Sequence, residues 1–171
     1  AAVAIGAALR DGRIQSLDQP ASTWLPEWRD PARQAITLRQ LLSMSGGFRT
    51  PLSTDPGHRY MQMHYGSDVA AIVRSAPVVY PPGQGFAYDN DNLHPLGLVI
   101  ERATGMPYAQ YVSQRVWQPL VEAARQRGEI TPDTAQQLAF EVFLVRDRSV
   151  NAFALPGGYV GVHLGLIAMT V

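Results

Sequence analysis

Two residues on one short segment, Tyr88 and Asn90, are of types that can assist acyl transfer. They follow a proline- and glycine-rich turn in the stretch PPGQGFAYDNDN, residues 81–92. Some serine acyl-transfer sites use a Tyr-x-Asn pair beside a Ser-x-x-Lys nucleophile. A serine hydroxyl attacks poorly until a neighbouring group activates it, so the pair and the nucleophile must lie close together. The stretch therefore predicts one half of a catalytic site.

The sequence does not contain the nucleophile that would complete this site. All 14 basic residues are arginine, so a Ser-x-x-Lys motif cannot occur. The Gly-x-Ser-x-Gly arrangement of other serine hydrolases is absent as well. Ser43 and Ser45, in LLSMSGG, are predicted to cap the end of a helix. Any catalysis therefore needs a group from elsewhere.

The same residues also have a structural interpretation. Tyr88 could be a half-buried aromatic side chain, and Asn90 could cap a helix. Asp89 and Asp91 flank the predicted start of a helix, where carboxylates complement the helix dipole, so capping is favoured over an acid pair or a calcium site. No metal site is expected, and no cofactor. The tryptophans are predicted to pack in the core or between subdomains: Trp24, Trp28 and Trp117.

Composition indicates a globular protein of one domain, or of one domain and a small annex. The 171 residues are 46% hydrophobic and 16% charged, and 14 acidic residues balance 14 arginines. This neutrality gives no electrostatic reason to expect nucleic acid or an anionic membrane as a partner. The apolar start of the chain has no basic region before it, so a signal peptide is not expected, nor is a transmembrane segment. The compartment is left unassigned.

The hydrophobic patterning predicts an α+β protein. A mainly helical body occupies residues 1–120, a helical connector residues 121–137, and a β-hairpin residues 138–171. Helices are predicted near residues 1–10, 35–47, 68–76, 89–105, 106–120 and 132–140, with a long loop over TPLSTDPGHRYMQMHYG. Local signals mark several ends: Gly12 and Gly105 as left-handed helix termini, a Thr37–Gln40 capping box, and caps at Ser67 and Thr131.

Residues 2–120 resemble the β-lactamase-related serine hydrolases, which include class C β-lactamases, D-alanyl-D-alanine peptidases and related esterases. The resemblance rests on several phrases in order: ITLRQLLSMSGGF, YPPGQGFAYDN, LGLVIERATGMPYAQYV and VWQPL. It implies that the Tyr88 hydroxyl helps to activate the nucleophile. It implies that Asn90 hydrogen-bonds the substrate amide and the catalytic lysine. The later His-x-Gly motif of the family has one weak counterpart, His163.

Residues 138–171 resemble a different family, the zinc metallopeptidases related to CAAX prenyl proteases. The phrase VNAFALPGGYVGVHLGLI is similar to the strand segment that precedes the His-Glu-x-x-His helix. The resemblance implies that Asn151 and Phe153 help to hold an extended substrate. The chain has no His-Glu pair, so the zinc ligands are absent. The spacing of His58, His64 and Asp68 likewise does not favour a metal site.

Together the two resemblances predict a chimera of two truncated enzymes, joined between Leu120 and Leu138. Its expected function is that of a folded scaffold, derived from a serine hydrolase, without efficient catalysis. The alternative is a weak or complemented hydrolase of esters, amides or β-lactams that uses Tyr88 and Asn90, with His163 as a further candidate. Self-association is expected through exposed apolar faces or through the edge of the C-terminal strand.

Overall fold

The computed structural model describes residues 1–65, 68–137, 141–145, 152–155 and 159–163. The chain divides into two compact units. The first comprises residues 1–53 and 70–116, and the second comprises residues 54–69 and 117–171. The predicted boundaries at residues 120 and 137 stay a prediction.

Helices dominate the part of the chain up to residue 137. In chain order they are α1 (Ala2–Arg10), α2 (Leu38–Leu42), α3 (Arg59–Tyr65), α4 (Val69–Arg74), α5 (His94–Thr104), α6 (Tyr108–Val112), α7 (Gln118–Gln126) and α8 (Pro132–Gln137). Three short 3-10 turns lie at Ala21–Thr23, Pro26–Trp28 and Asn90–Asn92, and a π-helical turn at Ser113–Trp117. Among the described residues, no helix combines the length and low polarity that a bilayer crossing needs.

The predicted helix signals are confirmed where the structure describes them. The Thr37 hydroxyl accepts from the Gln40 amide and the Gln40 side chain accepts from the Thr37 amide, which closes the capping box. Gly105 ends α5 at φ +70°, and Gly12 follows α1 at φ +69°. The Thr134 amide donates to the Thr131 hydroxyl over 3.0 Å at the start of α8. The predicted cap at Ser67 lies outside the described residues.

The predicted fold class, a helical body ending in a β-hairpin, is wrong. Residues 1–65 and 68–137 are helical and contain no strand, apart from one isolated bridge between Pro20 and Thr37. The strands are β1 (Glu141–Val145), β2 (Ala152–Leu155) and β3 (Tyr159–His163), in the order β1-β3-β2. β3 lies in the centre, parallel to β1 and antiparallel to β2, so the terminal element is a mixed sheet instead of a lone hairpin. Alternating patterns predict strands, but not how they pair.

Two further expectations are wrong. The segment predicted as a long loop contains α3, because RYMQMHY carries no proline or glycine and follows the Pro56-Gly57 turn. Trp117 is 51% exposed, so its predicted place in the core is wrong, whereas its alternative role between subdomains stays a prediction. The core prediction holds for Trp28, which is fully buried.

The core of the first unit forms around α5, which packs against both α1 and α6. Its apolar side chains recur at helical spacing, so one face of the helix is buried. The largest fully buried side chains of this unit include Ile5, Trp28, Leu38, Leu41, Phe48, Leu96 and Ile100. The Trp28 ring lies 5.8 Å from the Phe48 ring, and its Nε1–H donates to the Val73 carbonyl over 2.8 Å. Phe48 lies just beyond α2, so this packing fixes the chain that follows that helix.

Candidate active site

The Tyr-x-Asn pair lies at the junction of an extended segment and a tight turn. Asp89 has extended backbone angles (φ −148°, ψ 130°) and is the N-cap of the 3-10 turn Asn90–Asn92. Its Oδ1 accepts from the Asp91 amide over 2.8 Å. Asn90 is therefore the first residue of the turn, not its cap, and its side chain is half-buried. The predicted capping role belongs to Asp89.

Tyr88 projects into solvent. Its side chain is 79% exposed, so the alternative interpretation as a half-buried aromatic is wrong. Phe86, two positions earlier, is 74% exposed. A large, mostly apolar side chain that remains in water gains nothing from burial, so packing within this unit does not explain it. Exposed residues of this kind often belong to a binding or catalytic surface.

The backbone that carries Tyr88 is held by the segment that leaves α2. The Ala87 amide donates to the Met44 carbonyl over 2.9 Å, and the Gly83 amide donates to the Ser45 carbonyl over 2.8 Å. Met44 has φ +56°, a left-handed conformation that is unusual for a residue other than glycine. Such strain persists only where surrounding contacts maintain it. The exit of α2 is therefore a rigid support for the Tyr88 segment.

A cluster of buried polar groups makes the second attachment. Asp89 is 6% exposed, Asp91 1% and Asn92 0%. The backbone amide of Thr50 donates to Asp89 Oδ2, and the Thr50 hydroxyl donates to Asp91 Oδ2 over 3.2 Å. Both carboxylates thus meet one residue from a distant part of the chain. Buried carboxylates are tolerated only when they accept hydrogen bonds, which these do.

Sequence reasoning missed the contribution of Asn92. Its side chain bonds to Gly46, Ala87 and Asp89, on both sides of the turn. The available signal was the run DNDN directly before the apolar helix α5. Such a run is typical of a solvated helix start, whereas here its buried side chains bond to Gly46 and Thr50.

The serines of LLSMSGG are caps, as predicted. The Ser43 hydroxyl lies 2.9 Å from the Arg39 carbonyl, and the Ser45 hydroxyl lies 3.2 Å from the Gln40 carbonyl. The two hydroxyl oxygens are 2.8 Å apart. Both hydroxyls are therefore engaged at the end of α2. In the described part of the chain, neither hydroxyl forms a hydrogen bond with a basic side chain.

The remaining predicted residues belong to the second unit. Asn151 lies outside the described residues. Phe153 lies in β2 opposite Gly161, and His163 ends β3 opposite Val145. Their roles stay predictions. Among the described residues, no group of three or more histidine, cysteine, aspartate or glutamate side chains is arranged to hold a metal ion.

Comparison with known proteins identifies the relatives of this architecture. Esterase EstB of Burkholderia gladioli is 34% identical over 119 residues, which cover 61% of this chain and 30% of the esterase. A D-stereospecific amidohydrolase from Streptomyces sp. superposes with a TM-score of 0.52 at 30% identity, over 68% of this chain and 38% of that one. EstCE1, a hydrolase with promiscuous acyltransferase activity, superposes with a TM-score of 0.56 at 26% identity, over 68% of this chain and 34% of that one.

The chain thus spans about a third of the length of these relatives. A family model described as Beta-lactamase matches residues 1–142. This match passes beyond the predicted join between Leu120 and Leu138. The metallopeptidase resemblance of residues 138–171, and with it the chimera, stays a prediction. The resemblance of the first part to β-lactamase-related serine hydrolases is confirmed, because most of the sequence fits that family model. The chain belongs to the β-lactamase family.

Proposed function

We propose that this chain carries the Tyr-x-Asn half of a serine-hydrolase site and that it has no efficient catalysis by itself. The observation that carries the proposal is the contrast around Tyr88. Its side chain is 79% exposed, whereas Asp89 and Asn92, close to it in the chain, are buried and hydrogen-bonded. A protein that anchors a backbone so firmly while leaving a tyrosine in water presents that tyrosine to a ligand or to another segment.

The chemistry of the pair follows from its functional groups. In its phenolate form, the Tyr88 oxygen takes the proton of a serine hydroxyl as the serine oxygen attacks the acyl carbon. The resulting phenol then returns that proton to the leaving group. The side-chain amide of Asn90 offers both a donor and an acceptor, which suit a substrate amide or ester. A positioned acid–base group of this kind contributes about 10²–10⁴ in rate. Without the serine nucleophile, Tyr88 and Asn90 give no efficient catalysis, because the members of such a catalytic group act together.

The substrate class follows from the relatives. EstB is named an esterase, and the Streptomyces relative is named an amidohydrolase. Esters and amides both react through attack on an acyl carbon, so one site can serve both, and β-lactams are cyclic amides. We place esters first because EstB shares 34% identity. The predicted self-association stays a separate prediction.

The first test uses the full chain. We expect no covalent labelling by a fluorophosphonate probe and no hydrolysis of p-nitrophenyl butyrate above the buffer rate. A fluorophosphonate adduct on any serine, with ester turnover that disappears when that serine is replaced by alanine, would show that the chain contains its own nucleophile.

The second test supplies the missing half. In a hybrid, the corresponding residues of this chain replace the 119-residue matching segment of EstB. We expect the hybrid to hydrolyse p-nitrophenyl butyrate, and Tyr88→Phe to lower kcat at least about 100-fold. Tyr65→Phe is the matched control, because Tyr65 is also exposed, at 54%, and lies outside the Tyr-x-Asn segment. An active hybrid that keeps its kcat after Tyr88→Phe would refute the assignment.

A further inference from the structure

We propose that Asn92 and Asp89 are the positioning residues of Tyr88: they hold its backbone on both sides against residues 46–50. This inference rests on the proposed function for its catalytic meaning, but its geometry is independent of any activity. Neither residue is exposed enough to meet a substrate, so they act through the segment that they hold.

The Asn92 side-chain amide contacts the backbone on both sides of Tyr88. Its Nδ2 donates to the Asp89 carbonyl over 3.1 Å and to the Ala87 carbonyl over 3.5 Å. These carbonyls belong to the residues directly before and directly after Tyr88. One fully buried side chain therefore contacts both backbone neighbours of the exposed tyrosine. This arrangement restricts the direction in which the Tyr88 side chain leaves the backbone.

The other end of the same side chain contacts the segment that leaves α2. Asn92 Oδ1 accepts from the Gly46 amide over 2.9 Å, in a buried position. A Cβ atom at residue 46 would lie 2.7 Å from that oxygen and 2.7 Å from the Phe48 ring. The approach therefore requires glycine, and it fixes Asn92 against the exit of α2. Only an amide side chain provides a donor and an acceptor at this spacing.

Asp89 holds the opposite side of the turn. Its Oδ2 accepts from the Thr50 amide, and its Oδ1 accepts from the Asp91 amide over 2.8 Å. The carboxylate thus joins the turn to the segment after Phe48. Together Asn92 and Asp89 attach the Tyr88 segment at two separated points, Gly46 and Thr50. Two attachments fix an orientation, whereas one leaves a hinge.

The test places 3-fluorotyrosine at position 88 of the full chain and follows its fluorine NMR signal together with amide hydrogen exchange. We expect Asn92→Ala to narrow the fluorine line, because the tyrosine gains motion, and to speed exchange of the Gly46 amide at least about tenfold. Asn92→Asp keeps an oxygen for Gly46 but loses the donor to Ala87 and Asp89. It should therefore narrow the line while the Gly46 amide stays protected.

Thr50→Val is the matched control. It removes only the hydroxyl that bonds Asp91, and it keeps the backbone amide that bonds Asp89. The fluorine line should then stay as in the parent chain. An unchanged Tyr88 signal in both Asn92 variants, with the fold retained, would overturn the proposal.

A measurement on the unsubstituted chain covers the case in which the Asn92 variants do not fold. The Gly46 amide should exchange as slowly as the amides of α5, because its acceptor is fully buried. Fast exchange at Gly46 would overturn the proposal without any variant. The hybrid esterase separates the two proposals: if it is inactive while the Tyr88 signal responds as expected, the proposed function fails and the positioning role stands.

Discussion

The hydroxyl of Tyr111 donates a hydrogen bond to Asp11 Oδ2 over 3.0 Å, across 100 positions of the chain. Arg115 Nε donates to the same oxygen over 2.7 Å. Asp11 is the C-cap of α1, and Tyr111 is the buried residue of α6. The carboxylate therefore links the end of α1 to the helix that follows α5. The first unit gains a polar contact at the edge of its apolar core.

Replacing Tyr111 with phenylalanine should lower the free energy of unfolding by about 1.5 kcal/mol, the low end of the net value of a hydrogen bond to a charged group. The ring stays, so packing is little changed. Tyr108→Phe is the matched control on the same helix, since its hydroxyl makes no hydrogen bond to any residue that the structure describes. Urea unfolding measures both. Equal losses in the two variants would show that the Asp11 bond contributes nothing.

The free energy of unfolding should fall at acid pH because Asp11 becomes protonated. The hydrogen bond from Arg115, helped by that from Tyr111, lowers the pKa of Asp11 in the folded protein against the opposing effect of burial. The folded state therefore favours the ionised form. The stabilisation that ionised Asp11 gives is fully present above its pKa in the unfolded chain, near 4. It is lost as the pH falls through the lower pKa of Asp11 in the folded protein.

The check on this pH dependence compares the parent chain with Asp11→Asn by urea unfolding at several values from pH 7 down to about pH 2. The parent should be the more stable at pH 7, and the difference should shrink towards acid pH. A difference that stays constant over this range would contradict the assignment, because a carboxamide does not titrate. Asp18→Asn provides a second comparison, at a solvent-exposed pair with Arg39.

The helix ends could be predicted from the sequence because their signals are local. The Thr37–Gln40 box and the left-handed Gly105 depend only on residues within one turn. Each residue type indicates its role. A side-chain hydroxyl or amide can hydrogen-bond the unpaired backbone groups at a helix end, and a residue without Cβ can adopt the left-handed conformation that ends a helix.

The support of the candidate site could not be predicted because it is made of distant contacts. Asp89 and Asn92 are polar residues at the start of a helix, where exposure is the ordinary expectation. Their burial depends on Gly46 and Thr50, about forty positions earlier. Nothing in the DNDN run indicates which partner will cover it. The exposure of Tyr88 was missed for the same reason, because it follows from how its neighbours are held.

Trp28 should be among the most sensitive core positions of the first unit. Trp28→Phe removes the indole donor to the Val73 carbonyl, which keeps only the longer bond from the Ala76 amide, and it leaves a cavity beside Phe48. We expect the free energy of unfolding to fall by about 2–3 kcal/mol, from the lost bond and the unfilled volume together. Trp117→Phe is the matched control, because Trp117 is 51% exposed and should change stability by less than about 0.5 kcal/mol. Urea unfolding followed by circular dichroism avoids the loss of a fluorophore.

Two glycine-to-alanine substitutions should change stability in opposite directions. Gly47 has φ +90°, and a Cβ there would lie 2.4 Å from the Tyr80 carbonyl oxygen, so Gly47→Ala must displace the loop that leads to Tyr88. We expect a loss of at least about 2 kcal/mol. Gly97 lies inside α5, and a methyl group added there would meet no other part of the chain within 4 Å, so Gly97→Ala should stabilise by about 0.5–1 kcal/mol through helix propensity. Thermal and urea unfolding of both variants give the sign of each change in the free energy of unfolding. A stable Gly47→Ala chain would mean that residues 44–47 can move away from the Tyr88 loop, and the rigid support described for the site would then be wrong.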